Sequence, residues 1–304
     1  MPYTELHCHS AYSFLDGASD PAELAAAAAD LGHEALALTD HDNVCGAMEF
    51  AHACKGVGVR PIIGCELTVE VPRRMPRPVH VTLLVENASG WASLCRLITA
   101  AHRGTREGAG MRDPLPPSIE IDELERHTEG LVCLSGCARD GAVAGSWERG
   151  DPAGAAYLAR RLLRAFGPEH FQIELQRPLW RHDRSRNRWL SSLAERLGVP
   201  AVATGDAHAH ERSRLPLQDA LVAVRLGATL DETEALRRGN STSALLSEER
   251  AVARFRDHPG AVAETERLAE RLRFDLTREI GYSYPGAEDE GADLRLAELC
   301  RLRP

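Results

Sequence analysis

A chain of 304 residues with 43 % hydrophobic and 27 % charged side chains can bury a real core without disulfide or metal staples. Its formal net charge of −9, with Lys55 the only lysine among 36 Lys and Arg residues, argues against a dedicated DNA-binding module, which carries a basic face. No run approaches eighteen uncharged apolar residues and the start is polar and histidine-rich, which excludes a membrane span and a signal peptide and leaves a cytoplasmic location as the expectation. The eight cysteines form no CxxC pair, and most read as buried thiols in a reducing compartment.

In chain order, Asp20 can cap a helix that has Pro21 at its first position and Gly32 at its end. Short apolar, β-branched runs predict buried parallel strands at 35–39, 61–71, 79–85, 131–134, 171–175 and 199–204. Helical stretches fall between them, at 44–55, 90–102, 152–166 and 185–197. This β-then-α order favours a parallel α/β barrel or an open doubly wound sheet. The stretch 103–117, rich in Gly, Arg and Pro, reads as a mobile loop. After His210 the pattern turns helical, at 215–226, 247–256 and 260–273, with Ser247 as a cap and Glu248 and Glu249 as first-turn acids. From Gly281 the chain is polar and glycine-rich, and it stops as a new helix begins at Ala292, which we read as the edge of a longer protein.

The chemistry lies at the strand ends. His7-Cys8-His9 puts two imidazoles on one face of an extended segment, a pattern that fits a shared metal and a surface pair equally well in isolation. Asp16-Gly17 alone is a turn. Thr39-Asp40-His41-Asp42 follows an apolar strand, where α/β folds carry their sites. Glu66 sits inside an apolar strand, and a buried carboxylate is costly unless paired or bound to metal. His80 opens a strand, Cys137 follows one in Ser135-Gly136-Cys137, and Asp206-Ala207-His208 repeats the i, i+2 geometry. Taken singly, His80 fits a core histidine and Cys137 a structural thiol. Jointly, nearly every strand ends in a Zn, Mn or Fe ligand type, and bridging carboxylates suit a multinuclear hydrolytic site. In such a site the ions lower the pKa of bound water, orient a phosphate and stabilise the leaving oxygen. There is no P-loop, no dinucleotide-binding GxGxxG and no GxSxG elbow.

This ordered set, from HxH through TDHD, GCE, the strand-leading His, SGC and GDAH, resembles the PHP (polymerase and histidinol phosphatase) domain. The helix beginning Gly90-Trp91, then Asp257-His258-Pro259-Gly260 and Phe274-Asp275-Leu276, are similar to bacterial C-family DNA polymerases, the DNA polymerase III alpha subunits. Gly281-Tyr282-Ser283-Tyr284-Pro285 is most like their error-prone, damage-induced branch. The resemblance implies a distorted seven-stranded β/α, TIM-like PHP barrel over 1–212 with a loop-rich insertion about 103–128. A helical extension over 213–280 would follow, then at 281–304 the start of a linker toward a polymerase palm that these residues do not contain.

It also implies a metal set of His7, His9, Asp16, His41, Glu66, His80, Cys137, Asp206 and His208, holding divalent ions, three in number, of Zn, Mn or Fe. Catalysis would fall on His41, Glu66 and Asp206 through those ions, with Asp40 and His210 orienting ligands. The implied function is a metal-dependent phosphoesterase, a 3′–5′ exonuclease or phosphodiester hydrolase on DNA, within an error-prone polymerase for translesion synthesis and repair. Implied partners are DNA through the full polymerase, the remaining polymerase domains, other translesion factors and the sliding clamp, with no membrane. The alternatives are a free-standing phosphatase of small phosphate monoesters, which the helical tail disfavours, and a non-catalytic scaffold stabilised by metal.

Overall fold

The computed structural model describes residues 2–106, 115–280 and 291–302. Every apolar run noted above becomes a strand: β1 (Ala35–Leu38), β2 (Arg60–Glu70), β3 (Val79–Val85), β5 (Leu131–Leu134), β6 (Phe171–Gln176) and β7 (Ala201–Thr204), with a two-residue β4 (Ile119–Glu120) that the sequence did not suggest. The early helices are α1 (Pro21–Asp30), α2 (Ala47–Gly56), α3 (Ala88–His102), α4 (Ile121–Leu124), α5 (Ala144–Glu148), α6 (Pro152–Phe166) and α7 (Asp183–Leu197). Later come α8 (Leu215–Leu226), α9 (Glu248–Arg254), α10 (Pro259–Arg271), α11 (Leu276–Glu279) and α12 (Ala292–Leu302). Local chemistry explains several boundaries. Asp20 and Glu23 form a capping box ahead of Pro21, Asp151 accepts from the Gly154 amide, and α7 ends on Gly198 in the left-handed region. Residues 107–114, the centre of the expected mobile loop, and 281–290, which include the Gly281–Pro285 motif, lie outside the described residues.

The strands form one curled seven-stranded sheet in the order β1-β2-β3-β5-β6-β7, with β4 beside β2. One expectation needs correction: the sheet is not all parallel. β3 runs antiparallel to both β2 and β5. Only residues 71–78 join β2 to β3, too few for the crossover that a parallel pair requires. The remaining pairs, β1–β2, β5–β6 and β6–β7, are parallel. Residues 3–9 fill the gap between the outer strands. On one side Ala37 N donates to Glu5 O (2.9 Å) and Thr39 N to Cys8 O (2.8 Å); on the other Ala207 N donates to His7 O (3.0 Å) and His9 N to Ala207 O (2.8 Å). The extended HxH segment therefore closes the curl into a barrel.

Period-two alternation sorts the barrel wall. Outward residues such as Leu36, Ile63, Cys65 and Ile173 pack against the helices in the main core. Inward, Leu6, Ala35, Ala37, Ile62, Leu84, Val132, Leu134 and Val202 form a second core, plugged by Leu268, Ala269 and Leu272 of α10. Thr4 N donates to Thr265 Oγ1 at 3.1 Å, tying this helix to the barrel-closing segment across the expected boundary near residue 212. The inward side changes character along its length: Ile62, Gly64 and Glu66 share one face of β2, as Gln172, Glu174 and Gln176 share one face of β6. The floor is apolar and the opposite end polar. A Cβ on Gly64, where the wall turns polar, would stand 2.4 Å from Leu83 O, so no larger residue fits.

Candidate metal centre

At the polar end, four histidines arrive from three segments and meet one carboxylate. Glu66 Oε2 lies 2.8 Å from His41 Nδ1, 3.4 Å from His80 Nδ1 and 3.7 Å from His9 Nε2, while Oε1 is 3.4 Å from His7 Nε2. Asp206 Oδ1 sits 3.8 Å from His7 Nε2 and 3.6 Å from His9 Nε2. Asp16 Oδ2 completes the ring at 3.3 Å from His41 Nε2 and 3.5 Å from His208 Nε2. The rings of His41 and His208 flank that of His9, with centroids 4.3 and 4.2 Å away.

Hydrogen bonds on the far sides fix which nitrogens face inward. His7 Nδ1 donates to Glu174 Oε1 at 2.7 Å, His9 Nδ1 to Ser13 Oγ at 3.0 Å and His208 Nδ1 to the Asp206 carbonyl at 3.0 Å. The rings of His9 and His208 thus turn an unprotonated Nε2 inward. At His7 the Glu174 and Glu66 carboxylates outweigh burial and hold the imidazole well above its ordinary range, with Nε2 set between Glu66 and Asp206. Glu174 is itself held by Gln176 Nε2 at 2.8 Å and by the Thr204 hydroxyl. Ser13 in turn donates to Asp40 Oδ1 at 2.7 Å, so Asp40 acts on His9 through a serine. His210 faces elsewhere: it bonds Ser19 at 2.7 Å and lies 3.9 Å from Glu23 and from Glu211.

The donor set fits divalent cations. His7 Nε2, His9 Nε2, Glu66 Oε1 and Asp206 Oδ1 are buried without a hydrogen-bond partner; His7 Nε2 faces both carboxylate oxygens and His9 Nε2 faces that of Asp206. Such orphans each cost about 1–3 kcal/mol and are rare in native interiors. Ligand atoms sharing one tetrahedral ion stand about 3.3–3.6 Å apart, close to the separations here. Three trios converge within 4.8 Å: His7-His9-Glu66, His9-His41-His208 and His41-Glu66-His80. Glu66, His9 and His41 each belong to two of them.

Cys137 is buried on the wall of the same cavity but joins none of these trios among the described residues. Burial, followed by the Glu66 and Asp206 charges, pushes its thiol well above the ordinary range. Asp16 and Asp206 also stand outside the trios, and a cation of the protein's own lies between them. Arg238 Nη1 donates to Asp206 Oδ2 at 2.6 Å, and Nη2 reaches Asp16 Oδ2 at 3.4 Å and the His208 ring. Arg238 was not among the residues singled out from the sequence; it enters from a loop after α8, and nothing near it in sequence marks it as different from its neighbour Arg237. Glu174 and Ser13 were missed too, although Glu174 carried the signal that identified Glu66, an acid within an apolar strand.

The charges order the titrations. Burial pulls His41 and His80 down, but the Glu66 carboxylate outweighs it and raises each to about 9. Burial and then the neighbouring His208 and His41 hold His9 well below the ordinary imidazole range, so its lone pair is available at neutral pH. Against burial, His80, His41 and His7 keep Glu66 ionised, and Arg238 does the same for Asp16 and Asp206.

The model of the PHP domain family matches residues 5–178. Over 282 residues the chain is 39 % identical to an error-prone DNA polymerase of Symbiobacterium thermophilum, covering 90 % of this chain and 25 % of that protein. It is 34 % identical to a DNA polymerase III subunit alpha of Treponema pallidum, covering 89 % of this chain and 23 % of the relative. The chain therefore spans about a quarter of the length of the curated relatives it matches. Among solved structures, a Bifidobacterium adolescentis protein assigned to the metal-dependent phosphoesterases superposes with a TM-score of 0.46 at 18 % identity, covering 68 % of this chain and 88 % of that one, a likeness too loose to carry chemistry.

Proposed function

This chain belongs to the PHP domain family, and we propose that it is a metal-dependent phosphoesterase that hydrolyses a phosphodiester at the 3′ end of DNA. One observation carries the proposal: four buried ligand-type atoms, on His7, His9, Glu66 and Asp206, gather in imidazole–carboxylate pairs without hydrogen-bond partners. We assign His7, His9, Asp16, His41, Glu66, His80, Cys137, Asp206 and His208 as the residues that hold divalent ions, three of them, of Zn, Mn or Fe. When bound, such ions supply Lewis acidity that makes water a nucleophile near neutral pH and neutralises phosphate charge. The chain's own contribution is position and proton control. Glu174 and the Asp40–Ser13 pair lock the tautomers of His7 and His9, and the apolar floor beneath the cluster keeps bulk water from one side. Arg238, on Asp206 and Asp16, places a guanidinium beside the cluster, where a phosphate oxygen can accept from it.

We further propose that the domain works within a DNA polymerase of the error-prone branch, in the cytoplasm, in translesion synthesis and repair. DNA, the other polymerase domains, further translesion factors and the sliding clamp are then its partners. No helix among the described residues is long and apolar enough to cross a membrane.

The test is hydrolysis by purified chain loaded with Mn or Zn. Single-stranded DNA should shorten from its 3′ end, and Asp206→Asn and His41→Ala should each abolish the activity with circular dichroism unchanged. Activity surviving in both variants would assign the hydrolysis to a contaminant, and cleavage of small monoesters without DNA would move the substrate to the phosphatase class.

A further inference from the structure

We propose that Phe14 is a base-stacking platform at the mouth of the centre, which makes the terminal nucleotide of single-stranded DNA its ligand. This rests on the phosphodiester reading above and adds the residue that recognises the substrate. Phe14 is 81 % exposed, and single exposed aromatics are ordinary. What sets this one apart is how it is held. The loop that carries it turns on Ser13 N to Ser10 O, Asp16 N to Ser13 O and Gly17 N to Ser13 O, all 2.9 Å, and is tied to Ser19 O through Ala11 N at 2.7 Å. Asp40 grips both Ser10 and Ser13 from below. Leu15 adopts a left-handed φ of 58°, and a Cβ on Gly17 would stand 1.8 Å from Ser10 O, so the turn admits few other conformations. Ser13, just before Phe14, and Asp16, two residues after it, point into the cluster, Ser13 to His9 and Asp16 to His41 and His208. Between them the ring is displayed outward by the same rigid turn that supplies the site.

Phe14 lines a cavity of about 480 Å³ together with His41 and Glu66 of the cluster and three arginines, Arg139, Arg225 and Arg238. Arg225 reaches Asp16 Oδ2 at 3.5 Å with its side chain 40 % exposed, so it faces both the cluster and solvent. In a chain of net charge −9, an exposed ring and three guanidiniums lining one cavity form the pairing that single strands require, a π-face for the base and cations for the backbone. A small phosphate monoester would use the cations and leave the ring idle.

The experiment compares, in the full chain with Mn, the binding of an octathymidylate and of the same oligomer with an abasic 3′-terminal residue, both with a sulfur-substituted terminal linkage that resists cleavage. Wild type should prefer the base-bearing oligomer by about tenfold or more, the range expected for one stacked base. Phe14→Ala should bring that ratio close to one and Phe14→Trp should preserve it, with melting temperatures unchanged because the ring is exposed. A wild-type ratio of one, no measurable binding of the octamer, or an intact ratio in Phe14→Ala would each overturn the platform. Hydrolysis is scored separately: an inactive wild type that keeps its tenfold preference supports the platform and refutes the phosphoesterase.

Discussion

Glu66→Gln tests the electrostatic centre of the site. The substitution keeps shape and removes one charge that faces four imidazoles. In the metal-free protein, that carboxylate, helped at His41 by Asp16, raises His41 and His80 from 6.5 to about 9 against the opposing effect of burial. At ~1.4 kcal/mol per pKa unit, each pair is worth up to ~3 kcal/mol. The two share one carboxylate and their side chains are 22 % exposed, so the joint loss should be on the order of 3–5 kcal/mol. The sign follows from the raised values: this stability is fully present below pH 6.5, where the unfolded imidazoles are also protonated, and is lost as pH rises through 9. Thermal melts in chelator should therefore show Glu66→Gln below wild type by roughly 5–8 °C at pH 6, with the gap closing by pH 9.5. Equal melting temperatures at pH 6, or a gap that widens with pH, would refute the assignment of Glu66 as the shared counter-charge.

Three other outcomes follow from the same geometry. Chelation should lower the wild-type melting temperature at pH 8 and Mn or Zn should restore it, since ions binding only the native state stabilise it by mass action; an unchanged melt with no metal by elemental analysis would contradict this. Glu174→Gln should weaken metal affinity about 10–100-fold, measured by competition with a chromogenic chelator, because the amide no longer enforces the His7 tautomer with a full charge. Gly17→Ala should lower both the melting temperature and metal affinity, because its Cβ meets the Ser10 carbonyl on the loop that positions His9 and Asp16; wild-type values for both would show that the loop can shift freely.

How much of this was legible in the sequence depends on whether a residue's partner is local. The i, i+2 histidines and Glu66 betrayed themselves because side-chain period and apolar neighbours are local properties. The antiparallel β3 was not seen, since apolar runs look alike in either direction and only the eight residues of connection, 71–78, separate the two cases. Arg238 could not be found at all. Its meaning lies in partners distant in sequence, Asp206 at 32 residues and Asp16 at 222 residues along the chain. Glu174 is the instructive case. Gln172, Glu174 and Gln176 alternate with Phe171, Ile173 and Leu175, a pattern normally read as one wet and one dry face. In a closed barrel there is no wet face, so the polar side of β6 must turn into the interior and find partners there.

That consequence reaches past β6. Closure depends on residues 3–9 bonding to β1 and to the segment after β7, and those same residues carry His7 and His9. Glu5, buried among them, accepts from Tyr3 Oη at 2.6 Å, His7 N at 3.0 Å and Gly205 N at 2.9 Å, so it ties the His7 backbone to the segment that bears Asp206. The last strand position and the first of the proposed metal ligands are thus one structural element. A substitution that loosens the seam, even one with no donor atom of its own, must displace His7 and His9 relative to Glu66 and Asp206. Barrel closure and metal affinity should therefore be lost together.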